Sequence, residues 1–307
     1  MNNTLPHLAL FGASLIYGIN YTVAKGGMPN HLLPLGFIFT RIIGALPLFF
    51  LLGLSIKEKI NKKDLLRLAA CGLFGVAMNQ SLFFLGLNIT TPINAAIIMT
   101  TNPILVLIAC SLLLHESLTS RKWIGIFLGL GGALLVIGFG KNIHFGSDTF
   151  LGDLMVLFNA ASYGVYLVMV KPLMAKYHPF TVIKWVFLFG FLFVAPFGGI
   201  DFFNADWGSF PPSIIWAIAF VVIGTTFLTY LFNIYALKRV SPNVVSIYIY
   251  TQPIIASFIA IALGKDSLDF IKVFAASLIF IGVYLISVRP PRKPEIIKQE
   301  NNTFAKN

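Results

Sequence analysis

Long uninterrupted apolar segments constrain this sequence more than any other feature. Ten of them, each about twenty residues long, follow one another from residue 7 to residue 288. A helix of roughly 20 apolar residues crosses about 30 Å of hydrocarbon, and the segments lack the two-residue alternation of a barrel strand. The sequence therefore predicts an all-α polytopic membrane protein with transmembrane helices at 7–27, 33–54, 65–87, 92–114, 121–139, 150–171, 180–200, 213–237, 243–263 and 270–288.

The composition agrees with a chain surrounded by lipid. Apolar residues make up 57% of the 307 residues and charged residues only 11%, whereas a soluble exterior needs more charge than this. The first segment is not expected to be a cleaved signal, because its leader "MNNTLP" has no lysine or arginine and nine further segments follow it. The cysteines Cys71 and Cys110 lie inside predicted spans and indicate no disulfide framework.

The basic residues behind the net charge of +11 are distributed as in a membrane protein and not as in a nucleic-acid-binding surface. If the N-terminus is cytoplasmic, sixteen lysines and arginines lie on the inner side and four, Lys25, Lys141, Lys265 and Lys272, on the outer side. Cytoplasmic loops carry the excess of basic residues, so both termini are predicted to be cytoplasmic, with lipid headgroups near the basic loops. No basic stripe with interleaved aromatics indicates a nucleic-acid partner.

The chain contains an internal repeat. The stretch from Met99, "MTTNPILVLIACSLLLHESL", returns 150 residues later as "IYTQPIIASFIAIALGKDSL", which aligns Thr101 and Pro103 with Thr251 and Pro253. Matches in the first span of each half have a spacing of 146 residues. Five helices per half is an odd number, so the second half is expected to enter the membrane from the opposite side. Inverted repeats of this kind are typical of secondary transporters.

The sequence from Thr101, "TNPILVLIACSLLLHESLTSRKWIGIFLGLGGALLVI", resembles the hallmark of the EamA family of the drug/metabolite transporter superfamily. In that pattern a helix with threonine, an amide and proline leads to a glutamate-bearing turn and a glycine-rich helix. The second copy is looser, with Lys-Asp in place of His115 and Glu116 and with fewer glycines. The resemblance covers about residues 7–288.

The resemblance implies ten transmembrane helices in two inverted five-helix repeats. The domains are then 1–140 with spans one to five and 141–288 with spans six to ten. The segment 289–307 is polar and proline-interrupted, so it is expected to be a disordered cytoplasmic tail. The resemblance also implies alternating-access transport of small organic metabolites or drugs across the bacterial cytoplasmic (inner) membrane, with efflux as the favoured direction. The expected partners are a small-molecule substrate and membrane lipid. A coupling ion is left open, as is the choice between a monomer and a weak homodimer.

Polar residues at helical spacing inside the spans are the candidate substrate ligands, since such groups are costly in hydrocarbon unless they face partners or a wet cavity. Tyrosines near span ends have the alternative of anchoring helices at the membrane interface. The amides beside the prolines have the alternative of satisfying carbonyls of a broken helix. The candidate set is Tyr17, Asn20, Tyr21, Asn79, Gln80, Thr101, Asn102, Tyr163, Tyr166, Thr229, Tyr248, Thr251 and Gln252.

Two prolines and two charges are candidates for a kink or a gate. Pro103 and Pro253 lie near mid-membrane, where each removes a hydrogen bond from its helix. Arg41 is a charge well inside a predicted span, with snorkelling to the interface as its alternative role. Glu116 lies at the predicted cytoplasmic end of span four, where capping of the next helix is favoured over gating. No aspartate or glutamate falls at mid-membrane, which argues against a deep carboxylate proton relay.

An intramembrane enzyme and a channel or structural protein are the alternatives to a transporter. An enzyme needs paired acids, a Ser/His pair or a metal cluster, whereas the five histidines fall near span ends or in loops. No GxSxG, HExxH or P-loop pattern occurs, and no filter-like loop or charged ring indicates a channel. The sequence therefore predicts no catalytic residue, metal or cofactor. It leaves the substrate open between amino acids, nucleobases and amphipathic drugs.

Overall fold

Eleven helices make up most of the described chain in the computed structural model, which covers residues 4–28, 30–54, 56–115, 118–138, 148–237, 239 and 248–287. Within these ranges there is no β-strand. The helices are α1 Thr4–Gly26, α2 Pro34–Gly53, α3 Lys62–Ile89, α4 Pro92–Met99, α5 Asn102–Leu114, α6 Ser120–Gly138, α7 Asp148–Lys176, α8 Pro179–Asn204, α9 in three consecutive segments (Pro212–Ala219, Phe220–Leu228 and Thr229–Leu237), α10 Gln252–Ala262 and α11 Phe270–Ser287.

Seven of these helices, α2, α3, α6, α7, α8, α9 and α11, are long and apolar enough to cross a membrane. An eighth span results if α4 and α5, which meet at an angle of 41°, are counted as one bent helix. The described part of α10 has only 11 residues, and the apolar sequence of the continuous helix α1 is interrupted by the polar run Asn20–Tyr21–Thr22. The predicted all-helical membrane fold is confirmed at this level. The count of ten spans and the inversion of the repeats stay predictions.

Caps and prolines set the helix boundaries. Asn61 accepts a hydrogen bond from the backbone N–H of Lys63 at 3.0 Å and begins α3, and Thr91 accepts from that of Asn94 at 3.2 Å and begins α4. Proline is the first residue of α2, α4, α8 and α9, where the missing N–H has no helical partner to lose. Local chemistry thus sets where these helices begin.

The helices pack in pairs that recur between the two halves of the chain. α1 packs on α9 and α10, and α7 packs on α3 and α5. In the sequence repeat α1 corresponds to α7, α3 to α9, and α5 to α10. The contacts that the first half makes with the second are thus repeated with the halves exchanged. α2 packs on α8 and α6 on α11, and each of these is a pair of repeat-equivalent helices.

Single close contacts follow the same exchange. A Cβ added to Gly18 would lie 2.5 Å from Cγ2 of Ile255, and one added to Gly164 would lie 3.1 Å from the backbone carbonyl of Leu105. Gly164 follows Gly18 by 146 residues, and Ile255 follows Leu105 by 150 residues. These are the two spacings of the sequence repeat.

Glycines bring α6 and α11 together, and the 150-residue spacing of the repeat relates the two ends of this contact to each other. A Cβ on Gly125 would lie 2.6 Å from the carbonyl oxygen of Gly282, and one on Gly132 would lie 2.7 Å from that of Ala275. Gly125 and Ala275 are 150 residues apart, as are Gly132 and Gly282. Small residues at a helix interface allow the backbones to approach closely, which explains this pairing.

Candidate functional site

Two π-helical stretches lie at equivalent positions of the repeat. They are Leu73–Ala77 in α3 and Phe220–Leu228 in α9, and a shift of 150 residues places the first within the second. A π-helical turn rearranges backbone carbonyls and is frequent at functional sites. In α9 the Val221 carbonyl accepts a hydrogen bond from Oγ1 of Thr226 at 2.9 Å. The sequence analysis missed both stretches because neither contains a proline.

Polar side chains join α1 to α9. Oγ1 of Thr225 donates to Oδ1 of Asn20 at 3.1 Å, and the hydroxyls of Tyr17 and Thr229 are 3.0 Å apart. Thr229 gives its proton to the carbonyl of Thr225 at 2.5 Å, so the Tyr17 hydroxyl is the donor to Thr229. Asn20, Thr225 and Thr229 are buried. The structure thus brings together three of the predicted ligands, Tyr17, Asn20 and Thr229.

A pair of amides joins α3 to α7 in the other half of the site. Nδ2 of Asn79 donates to the backbone carbonyl of Asn159 at 3.2 Å, and Nδ2 of Asn159 donates to that of Asn79 at 2.5 Å. Both amide donors are therefore engaged with backbone, so Asn79 connects two helices. Gln80 is buried beside this pair, and its Oε1 has no hydrogen-bond partner among the described residues.

Five tyrosines from three helices lie near one another in this part of the bundle. Tyr17 lies within electrostatic reach of Tyr21, Tyr163 and Tyr230, and the ring centres of Tyr163 and Tyr166 are 5.9 Å apart. Tyr21 and Tyr166 are buried. We call these five residues the tyrosine cluster. Sequence analysis missed Tyr230. Its position next to Thr229 in an apolar helix was the feature that could have indicated it.

Arg41 of α2 extends to the edge of the tyrosine cluster. Its Nε donates to Oγ1 of Thr226 at 2.5 Å, and its guanidinium carbon lies 5.4 Å from the centre of the Phe84 ring. Tyr17 and Tyr230 are its electrostatic neighbours. Sequence analysis missed Thr226, because no local pattern relates a residue of α2 to one 185 positions later.

The two proline-containing helices begin in the same way. Oγ1 of Thr101 donates to the carbonyl of Ile98 at 2.7 Å, and Oγ1 of Thr251 donates to that of Tyr248 at 2.6 Å. Pro103 and Pro253 are the second residues of α5 and α10, where a proline interrupts an incoming helix but fits the first turn of the next. The 41° bend between α4 and α5 lies at this point.

The remaining predicted residues lie around these helix starts. Asn102 and Gln252 are the first residues of α5 and α10, and Oδ1 of Asn102 has no hydrogen-bond partner within the described ranges. The Tyr248 hydroxyl is 2.9 Å from Nδ1 of His7, at the start of α1. Glu116 lies outside the described residues.

The predicted outer end of the bundle carries a polar network. The Lys25 ammonium donates to the backbone carbonyl of Thr90, and Asp153 accepts from Oγ1 of Thr90 and, at 3.3 Å, from Nδ2 of Asn94. The carboxylate of Asp266 accepts a hydrogen bond from the backbone N–H of Ile93, the second residue of α4, at 3.1 Å. Loops that the charge pattern assigns to one side of the membrane therefore meet at one end of the bundle.

Asp266 itself is held ionised by its neighbours. Burial raises the pKa of this carboxyl, but hydrogen bonds led by the one from Lys272 outweigh burial and hold the pKa below its ordinary value of 3.8. The Lys272 ammonium lies 2.8 Å from Oδ1 of Asp266. The turn after α10 is thus closed by an ion pair between Asp266 and the first turn of α11.

In the part of the chain that the structure describes, no group of three His, Cys, Asp or Glu residues is placed to hold a metal ion. An apolar groove of about 390 Å³ lies between α2, α3 and α8, away from the tyrosine cluster. The polar side-chain contacts described above lie in the interior of the described bundle and at its ends, and this groove is apolar.

Comparison with known proteins agrees with this architecture. A transporter of Archaeoglobus fulgidus, named as uncharacterized, is 28% identical over 94% of this chain and 99% of its own length. The uncharacterized inner membrane transporter YedA of Escherichia coli is 25% identical over 94% of each chain. A solved crystal structure with 18% identity and a TM-score of 0.59 covers 93% of this chain and 97% of its own, and shares the fold.

The relatives' names are those of membrane transporters, and the apolar helices make this chain an integral membrane protein. The EamA-like transporter family matches residues 4–138 and 150–288, in agreement with the resemblance carried by the motif from Thr101. With most of its length matched, the chain belongs to the EamA-like transporter family.

Proposed function

We propose that the protein is a secondary transporter that moves small organic metabolites or drugs across the bacterial cytoplasmic membrane by alternating access, with export as the favoured direction. The exchange of helix contacts between the two halves is the observation that carries this proposal. The proposed halves are 1–140 and 141–288, and both termini are cytoplasmic.

The exchanged contacts support a two-fold relation between the halves. When residue i of one half contacts residue j of the other, and their repeat equivalents are also in contact, a rotation of 180° exchanges the halves. Gly18 with Ile255, and Gly164 with Leu105, follow this rule. Five spans per half then require the axis to lie in the membrane plane, so exchange of the two halves' conformations converts an inward-open into an outward-open protein.

Polar contacts at the two ends are suited to act as alternating closures. At the predicted outer end Asp153 of α7 contacts Asn94 of α4, and at the predicted inner end His7 of α1 contacts Tyr248 before α10. His7 precedes Asp153 by 146 residues, so the two contacts are made by equivalent helices. We infer that transport opens these ends one at a time, while the tyrosine cluster between them holds the solute.

A disulfide across the inner half of the bundle tests this mechanism. Oγ of Ser14 donates to the backbone carbonyl of Tyr248 at 2.7 Å, so the two backbones are close enough for a Ser14→Cys/Tyr248→Cys pair. A solute found by ligand stabilisation of the purified protein is first loaded into proteoliposomes. Exchange of labelled for unlabelled solute should be saturable and faster with solute on both sides.

Oxidation of the cysteine pair should stop this exchange, and reduction should restore it, because the inner end can no longer open. The two single-cysteine variants are the controls and should be insensitive to oxidant. Flux that rises linearly with concentration and shows no acceleration by solute on the opposite side would indicate a pore. Full exchange in the oxidised double variant would also contradict alternating access.

A further inference from the structure

Arg41 is partly buried, and its side chain is directed into the bundle. It lies about 10 Å along α2 from the first residue, Pro34. Its two contacts described above, Thr226 and Phe84, are both fully buried. A snorkelling arginine extends its stem towards the headgroups. The inward contacts of Arg41 therefore require another explanation for a charge at this depth.

The charge of Arg41 is not balanced by a carboxylate within the described ranges. The ion pairs found there join Lys176 to Asp64 and Lys272 to Asp266, near the ends of helices. None of the eleven acidic residues of the sequence falls in the middle of a predicted span. An intramembrane arginine without a counter-ion is costly, and such residues mark substrate or ion sites.

The hydrogen bonds around Arg41 leave most of its donors available. Thr226 gives its own proton to the carbonyl of Val221, so its oxygen accepts the Nε–H of Arg41. A guanidinium has five N–H donors, and the other four are on the two terminal nitrogens, which have no protein acceptor among the described residues. This fork matches the two oxygens of a carboxylate. The π-helical stretch of α9 positions Thr226 and thereby orients the fork.

One aromatic ring packs beside the guanidinium, and further rings extend from it. Tyr17 and Tyr230 are its electrostatic neighbours, and Phe84 lies on one side of it. The Phe83 ring contacts that of Phe84 edge to face at 5.1 Å and that of Tyr21 at 5.6 Å. Rings of this kind provide a large apolar surface for the body of a ligand. The site therefore combines one cation with an aromatic wall.

We propose that this site binds a small organic monoanion, with its carboxylate on the terminal nitrogens of Arg41 and its apolar or aromatic body against these rings. The proposal rests on the transporter function proposed above and names the substrate class of the same site. Lys184, a second cation predicted to lie within a span, is over Phe50 near the opposite end of α2. A single nearby cation balances a monoanion, whereas a phosphate dianion leaves one charge unbalanced.

Thermal unfolding of the purified protein tests the charge preference with three probes of the same shape, phenylacetate, phenylacetamide and phenylacetamidine. Phenylacetate should raise the melting temperature saturably, whereas the neutral amide, the cationic amidine and chloride at the same concentration should not. Arg41→Gln should abolish the shift. Arg41→Lys should weaken apparent binding by about tenfold or more, because an ammonium lacks the planar fork. Lys184→Gln is the matched control and should keep the wild-type shift.

Two further measurements distinguish a loss of binding from a loss of folding. Without ligand, Arg41→Gln should melt at or above the wild-type temperature, since it removes an unbalanced charge. If Arg41→Gln does not fold, Thr226→Val should weaken the phenylacetate shift several-fold. Equal shifts with the amide, the amidine or chloride, no shift with phenylacetate, or a full shift in Arg41→Gln would overturn the proposal. None of these results bears on alternating access, which is tested separately by the disulfide and the exchange assay.

Discussion

Replacing Gly125 by alanine should separate α6 from α11 and destabilise the protein. A Cβ at this position would lie 2.6 Å from the carbonyl oxygen of Gly282, whereas ordinary contact begins at 3.4 Å. Because the obstacle is backbone, the helices must move apart by about 0.8 Å, the difference between these distances. Overpacking of this kind costs about 1–3 kcal/mol. For a chain of this size that corresponds to a fall in melting temperature of roughly 2–10 °C.

Gly131→Ala is the matched control on the same helix, because a Cβ there meets nothing within 4 Å. Both substitutions change helix propensity in the same way, so that contribution cancels in the comparison. The assay is thermal unfolding of the purified variants in one detergent, followed by the loss of the monodisperse gel-filtration peak. A melting temperature of Gly125→Ala equal to or above that of Gly131→Ala would refute the close packing of α6 on α11.

Three further results are expected. Tyr163→Ala should lower solute exchange without changing the amount of protein in the membrane, since the ring belongs to the tyrosine cluster; unchanged exchange would remove it from the site. Asn79→Ala and Asn159→Ala should each lower the free energy of unfolding by about 1 kcal/mol, measured by thermal unfolding, because each loses a hydrogen bond between α3 and α7; unaltered melting would contradict this. The stabilisation that ionised Asp266 provides is complete above its unfolded pKa and is lost as pH falls below 3.8, because its folded pKa is lowered by Lys272. The melting temperature of Asp266→Asn should therefore fall less steeply with decreasing pH than that of the wild type in this acid range. The same pH dependence in both proteins would rule out the ion pair.

The sequence was sufficient to predict an all-helical membrane fold because the length and polarity of each run reflect the thickness of the membrane. Pro103 and Pro253 were expected to kink their helices, and α5 and α10 begin one residue before them, since the effect of proline on a helix is local. The polar residues of α1 and α9 were found for a similar reason: amides and hydroxyls in an apolar helix are costly and stand out from it.

Contacts between distant parts of the chain could not be predicted from the sequence. The partner of Arg41 is Thr226, 185 residues away, and no local pattern connects them. That Asn79 contacts substrate stays a prediction, and the sequence did not indicate that its Nδ2 donates to the backbone of α7. The π-helical stretches depend on how α3 and α9 pack, so they leave no signature in composition. Local chemistry is thus readable from one sequence, whereas the pairing of side chains across the bundle requires the fold.

The side of the membrane on which two equivalent turns lie is the most direct test of the inverted repeat. Leu118 and Leu268 are 150 residues apart, in the turns after α5 and α10. Leu118→Cys and Leu268→Cys, each in a chain without Cys71 and Cys110, are treated with a membrane-impermeant maleimide in inside-out and right-side-out vesicles. The inverted repeat predicts that Leu118→Cys is labelled only from the cytoplasmic side and Leu268→Cys only from the outer side. Labelling of both from one side would contradict it.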